Sequence, residues 1–243
     1  MKYLLSIVFL MATVSAGAQV TGNVLSIGDS LTAGLAGARN GLTCASLGGA
    51  VVAIDRQRSC RGNGQRNVGG WQPSLSSQVG ANVFNYGNSG ELTSEILARL
   101  DASMDATDSQ FVLILAGTND AIRGPAVNTI MNNLQSMIDR VRDRNRIPVI
   151  ATLPPLVGSV VSSSNANVLA INQRITQLED IEVADLYGVL ISNWSSHTSG
   201  DFIHLGASGN ALVAQTWAEA IERSLTRPTS PAATLVPTIK MIL

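Results

Sequence analysis

An alternation along the chain constrains the fold more than any other feature. Short apolar runs at 24–27, 83–86, 111–116, 149–153 and 181–184 take turns with longer stretches whose apolar residues recur every three to four positions. The run Phe111-Val112-Leu113-Ile114-Leu115-Ala116 contains no polar residue. A strand covered on both faces reads this way. Between the runs, a helix is predicted over 91–100, with Leu92, Ile96, Leu97 and Leu100 on one face. A second runs from Pro125 to about Arg144, with Val127, Ile130, Leu134, Met137 and Val141 as its apolar stripe. A third carries Val168, Ile171, Ile175 and Leu178. The last, from about Ala207 to Leu225, carries Val213, Trp217, Ile221 and Leu225. Strand and helix in turn imply an α/β protein: a parallel sheet of about five strands between two helical layers, a three-layer α/β/α sandwich.

Composition narrows the function classes. Of the 243 residues 45% are hydrophobic, which excludes a disordered chain. Charged residues make up only 14%, against roughly 25% in an average soluble protein. The net charge is −1, which argues against a phosphate-driven nucleic-acid binder. Two cysteines cannot build a Cys-rich zinc site. With no HExxH, CxxC or carboxylate cluster, neither a metal nor a cofactor is expected. Gly62-Asn63-Gly64 lacks the lysine and the strand-to-helix context of a phosphate loop.

The ends read as processing segments. Residues 1–18 have the pattern of a secretory signal: Lys2, an apolar stretch, then Ala16-Gly17-Ala18 as an A-x-A cleavage site. A secreted or periplasmic location follows, with one domain over 19–227 and a tail over 228–243. Neither apolar end is long enough for a stable membrane span. In an oxidising compartment Cys44 and Cys60 are expected to form a disulfide. Both lie in a Gly-rich stretch of little periodicity, 31–77, read as a long loop insertion after the first strand. Arg56, Arg58, Arg61 and Arg66 cluster there, either as a solvated loop or as a contact for an anionic substrate group.

Sites in open parallel sheets form beyond the carboxyl ends of the strands. After the first strand comes Gly28-Asp29-Ser30, and after the second Asn88-Ser89-Gly90. After the third comes Gly117-Thr118-Asn119-Asp120, and before the last helix Asp201-Phe202-Ile203-His204. A serine hydroxyl needs a base to act as a nucleophile. Ser30 is the candidate nucleophile, His204 its base, and Asp201 the carboxylate that holds the imidazole. An oxyanion needs donors aimed at it. The candidates are the Ser30 and Gly90 backbone N–H groups and the Asn119 side chain. Each residue also has a plainer reading: Ser30 as a helix cap, Gly90 as a helix start, Asn119 as a turn residue. Asp29 and Asp120 are read as structural turn residues. His197, the other histidine, has no carboxylate three residues away.

These four blocks, in this order, resemble the SGNH, or GDSL-type, hydrolase family. Gly28-Asp29-Ser30-Leu31 matches the first block, Gly90 the second, Gly117-x-Asn119-Asp120 the third and Asp201-x-x-His204 the last. The resemblance covers about 24–225. It implies a flavodoxin-like fold and ester hydrolysis through an acyl-enzyme. The stretches 84–90, 98–100 and 152–155 are similar to the thioesterase, lysophospholipase and arylesterase branch of the family, so a small-molecule or lipid ester is the expected substrate. A carbohydrate O-acetylesterase would use the same machinery, and a non-catalytic binding domain could occupy the same fold.

Overall fold

The computed structural model describes residues 20–38, 41–44 and 61–227. The expected signal sequence 1–18, Arg56, Arg58, Cys60 and the expected tail 228–243 lie outside the described residues, and with Cys60 so does the expected disulfide to Cys44.

In chain order the elements are β1 (Asn23–Gly28), α1 (Ser30–Ala33), β2 (Leu35–Ala38), β3 (Gly41–Cys44), β4 (Gln65–Arg66), α2 (Gln72–Val79), β5 (Val83–Gly87), α3 (Thr93–Asp105), β6 (Ser109–Leu115), α4 (Thr118–Arg123), α5 (Val127–Asp143), β7 (Ile147–Ala151), α6 (Asn165–Ile175), β8 (Glu182–Ala184), α7 (Leu186–Ile191), α8 (Trp194–His197) and α9 (Ala207–Thr226). The main sheet has the order β4-β5-β1-β6-β7-β8. Its last five strands are parallel, and β4 pairs antiparallel to β5 at the edge. The five expected parallel strands are therefore joined by a sixth.

The apolar runs become strands because both faces of the sheet are covered. Phe111 to Leu115 are all fully buried in β6. Burying a side chain such as Leu113 contributes about 1.5–3 kcal/mol. Of the α5 stripe, Ile130, Leu134, Met137 and Val141 are buried as their spacing predicts, whereas Val127 is half-buried and opens the helix two residues after Pro125. Helix α5 packs on α3 and α6, whereas α2 packs on α9. Trp71, just before α2, and Trp217 of α9 meet with ring centroids 5.8 Å apart. The stretch 31–77 differs from the loop expected of it. Its described parts hold the end of α1, the hairpin β2–β3, strand β4 and the start of α2. Strands of two to four residues are too short to show a period of two, so composition hid them.

The strand order puts β1 between β5 and β6, where the chain reverses its direction of winding. Crevices form beyond the carboxyl ends of the strands at such a switch point. Two glycines let the backbone close in there. Gly28 pairs with Gly87 on one side and Leu115 on the other. A Cβ on Gly87 would collide with the backbone of Thr32 and Ala33, and one on Gly28 with Leu115 O and Thr32 Oγ1. Helix α1 thus lies directly on the strand ends. No helix among the described residues is long and apolar enough to cross a membrane. Gly87→Ala should push α1 off β5, costing about 1–3 kcal/mol, as overpacked sites do. Urea denaturation checks the stability.

Candidate active site

The site is assembled from three strand ends and one loop. Ser30 opens α1, and its neighbour Asp29 is the N-cap, with Oδ1 accepting from Leu31 N at 2.9 Å. Gly34, left-handed at φ +83°, ends the helix after one turn. Ser30 is 9% exposed, at the edge of the core. Its N–H stands in the first helical turn, where no carbonyl within the helix can reach it.

His204 comes from the loop that feeds α9. Thr198 and Leu205 form an antiparallel bridge, and Ser199 N donates to His204 O at 2.9 Å. Gly206 N donates to His197 O at 2.7 Å, closing the loop at its base. Inside it, Asp201 Oδ1 accepts from Ile203 N at 2.9 Å and from His204 N at 2.8 Å. That fold-back puts Phe202 in the left-handed region, at φ +59°. A side chain there is uncommon and costs on the order of 1 kcal/mol or more. The gain is that Asp201 and His204 are fixed by their own backbone.

Asp201 Oδ2 lies 2.6 Å from His204 Nδ1, and His204 Nε2 lies 2.9 Å from Ser30 Oγ. A carboxylate only accepts, so Nδ1 carries the hydrogen. Nε2 is then left to accept from the serine hydroxyl. Burial pushes the Asp201 carboxyl up, but the hydrogen bonds from His204 and Ile203 and the His204 charge outweigh it, holding the group down at about 2. The structure thus brings together Ser30, His204 and Asp201. His197 is set apart: its Nδ1 lies 3.3 Å from Ser208 Oγ on α9.

Gly90 follows β5 with φ +83°, a conformation suited to glycine. A Cβ there would meet only Arg123 Nη2, at 3.5 Å. Among the described residues its N–H meets no acceptor. Asn119 lies at the start of α4, after Gly117 at φ +124°. Its Nδ2 donates to Glu91 O at 3.0 Å and, more loosely, to Asp29 Oδ2 at 3.3 Å. Asp120 accepts from Thr93 N at 2.9 Å and Thr93 Oγ1 at 2.6 Å, tying α4 to α3.

Two further residues stand at the site: Arg99, which lies in the family-like stretch 98–100 but to which that resemblance gives no role, and Glu91. Arg99 of α3 reaches the strand ends, donating to Gly28 O at 2.9 Å and Tyr86 O at 2.8 Å. It also pairs with Glu91 Oε2 at 2.6 Å, and Asn88 Nδ2 bonds the other oxygen of that carboxylate. One guanidinium therefore pins β1 and β5 where the chain enters the turns of Ser30 and Gly90. The signal that could have found it is positional: Arg99 stands three residues from Ile96, on the side of α3 that faces the sheet. Of the insertion's arginines, Arg66 lies over the Phe84 ring, 5.9 Å from its centroid, and the Arg61 backbone bridges Asn88.

The GDSL-like Lipase/Acylhydrolase family matches residues 26–212. A serine hydrolase of three-layer α/β/α fold that acts on ester bonds is the class this defines. The chain belongs to the GDSL-like lipase/acylhydrolase family. Among solved structures it is similar to a member of the lipolytic protein G-D-S-L family from Veillonella parvula DSM 2008, at 17% identity and TM-score 0.60, covering 83% of this chain and 98% of that one. It is also similar to the psychrotrophic esterase EstA from Pseudoalteromonas sp., inhibited by monoethylphosphonate, at 20% identity and TM-score 0.57, covering 85% and 100%. A third is Axe2, an acetylxylan esterase from Geobacillus stearothermophilus, at 16% identity and TM-score 0.58, covering 87% and 97%. These likenesses establish the three-layer fold. No curated protein gives a significant match.

The depressed Asp201 carboxyl has a consequence for stability. Its folded value of about 2 lies below the usual 3.8, so its contribution is present above 3.8 and is lost as pH falls toward 2. Asp201→Asn should therefore be less stable than the parent at neutral pH. The gap should narrow below pH 3.8, as denaturant titrations at the two pH values would report.

Proposed function

We propose that the chain hydrolyses carboxylic esters through an acyl-enzyme on Ser30, with His204 as general base and Asp201 as its orienting carboxylate. The observation that carries this is the unbroken run of contacts, 2.9 Å from Ser30 Oγ to His204 Nε2 and 2.6 Å from Nδ1 to Asp201. Attack by Ser30 Oγ on the ester carbonyl passes its proton to Nε2. Asp201 stabilises the imidazolium that forms. The carbonyl oxygen, now an oxyanion, is met by Ser30 N–H, Gly90 N–H and Asn119 Nδ2. Collapse of the tetrahedral intermediate expels the alcohol, which takes the proton from His204. Water then attacks the acyl-enzyme by the same route, releasing the acid and restoring Ser30.

The branch-like motifs at 84–90, 98–100 and 152–155 favour acyl esters of small alcohols, phenols or lysolipids, with thioesters a further candidate. The similarity to the acetylxylan esterase supports a second reading, removal of acetyl groups from a carbohydrate. Short and long acyl esters, a thioester, a lysophospholipid and an acetylated xylan, compared for kcat/KM, separate the two. The signal pattern at 1–18 supports export, where a Cys44–Cys60 disulfide would form.

A fluorophosphonate should label Ser30 of the native protein, and Ser30→Ala should abolish the label. Labelling that persists in Ser30→Ala would contradict the nucleophile. Asn119→Ala should lower kcat by about 10²–10³, the effect of losing one oxyanion donor. Steady-state kinetics on a chromogenic ester measure it, and an unchanged kcat would remove Asn119 from the oxyanion site.

A further inference from the structure

Asp29 is 1% exposed and lies between the nucleophile turn and the Asn119 side chain. One carboxylate oxygen accepts from Leu31 N at 2.9 Å, the other from Asn119 Nδ2 at 3.3 Å. On its far side the same Nδ2 donates to Glu91 O at 3.0 Å. The terminal torsion of an asparagine is soft, with a broad range of angles open to it. Two acceptors on one nitrogen remove that freedom. Donors that stabilise an oxyanion work best when already oriented. We propose that Asp29 is a positioning residue for ester hydrolysis, holding the Asn119 carboxamide so that its N–H is aimed before substrate arrives. This rests on the reading of Ser30 and Asn119 given above. The Asp29 bond is the longer of the two, so its hydrogen is the one an incoming oxyanion can share.

The carboxylate is held in a place that opposes its charge. Burial pushes the Asp29 carboxyl up. The Leu31 N–H and the His204 charge pull it down, the Asp120 and Glu91 charges push it up, and it settles at about 6. The groups around it come from the loop before α9 (His204), from α4 (Asp120) and from the turn before α3 (Glu91, paired with Arg99 of α3). A folded value above the usual 3.8 means that the folded state binds the proton more tightly. Stability therefore falls as pH rises from 3.8 through 6, and the ionised group works against the fold at neutral pH. A residue needed only to cap α1 would be served as well by asparagine, a good N-cap without the charge. A local rule broken at the expense of stability is characteristic of functional sites.

The test is Asp29→Asn, which keeps an oxygen for Leu31 N and turns an amide toward Asn119. The expected result is a kcat lower by about tenfold with KM within about twofold, the pattern of an interaction used in the transition state. The melting temperature at pH 8 should be equal to or above that of the parent, because a buried charge has gone. In an Asn119→Ala background the same substitution should change kcat by less than about twofold, since coupled residues are non-additive. An unchanged kcat, an undiminished tenfold loss without Asn119, or a fall in melting temperature alongside kcat would each overturn the proposal. Fluorophosphonate labelling of Ser30 in the parent and in Asp29→Asn separates this outcome from failure of the wider reading, in which the parent itself would not label.

Discussion

The contact between Ser30 Oγ and His204 Nε2 joins residues 174 positions apart at 2.9 Å, and the rest of the molecule can be understood as what holds that distance. On the serine side, α1 rests on Gly28 and Gly87, where any side chain would lift it. On the histidine side, Asp201 accepts from the imidazole and from two backbone N–H groups of its own loop. A displacement of about 1 Å in either support would be enough to lower the rate by about a hundredfold. The fully buried sheet between the two supplies the rigidity, because close-packed interiors transmit strain rather than absorb it.

A chain with little charge places five of its 33 charged residues, with one imidazole, at one edge of the sheet. Asp29, Glu91, Arg99, Asp120, Asp201 and His204 all stand beyond or beside the strand ends, each with a defined partner. The two aspartates nearest the serine are driven in opposite directions. Asp201 is surrounded by donors and held at about 2, whereas Asp29 is buried among other carboxylates and pushed up to about 6. Environments that push like groups apart assign them different roles. Arg99 neutralises Glu91 and at the same time pins Gly28 and Tyr86, so one cation serves both the electrostatics and the backbone.

The parts of this arrangement that could be read from the sequence are those with a period or a motif. The apolar run of β6 and the stripe of α5 are unambiguous because both bury a continuous face. Ser30, Asn119, Asp201 and His204 stand out because each follows a strand or precedes a helix at a spacing that chemistry requires. Elements of two to four residues, such as β4 and α8, carry too few positions for any pattern. The position of Arg99, three residues after Ile96, hints that it faces the sheet, but its role does not show in the sequence, because two of its partners are backbone carbonyls of residues 71 and 13 positions away. Asp29 looks like a turn residue, and it is one. Its second bond, to Asn119, exists only because β1 and β6 are neighbours in the sheet.

The central claim is that Asp201 fixes the hydrogen on His204 Nδ1 and leaves Nε2 free to take a proton from Ser30. Nitrogen-15 NMR of histidine-labelled protein tests this directly. The chain has two histidines, so a His197 substitution assigns the spectrum. At neutral to mildly alkaline pH, His204 should show a protonated Nδ1 and an unprotonated Nε2, and that preference should be lost in Asp201→Ala. A hydrogen on Nε2 in the parent, or the same tautomer with and without Asp201, would contradict the account.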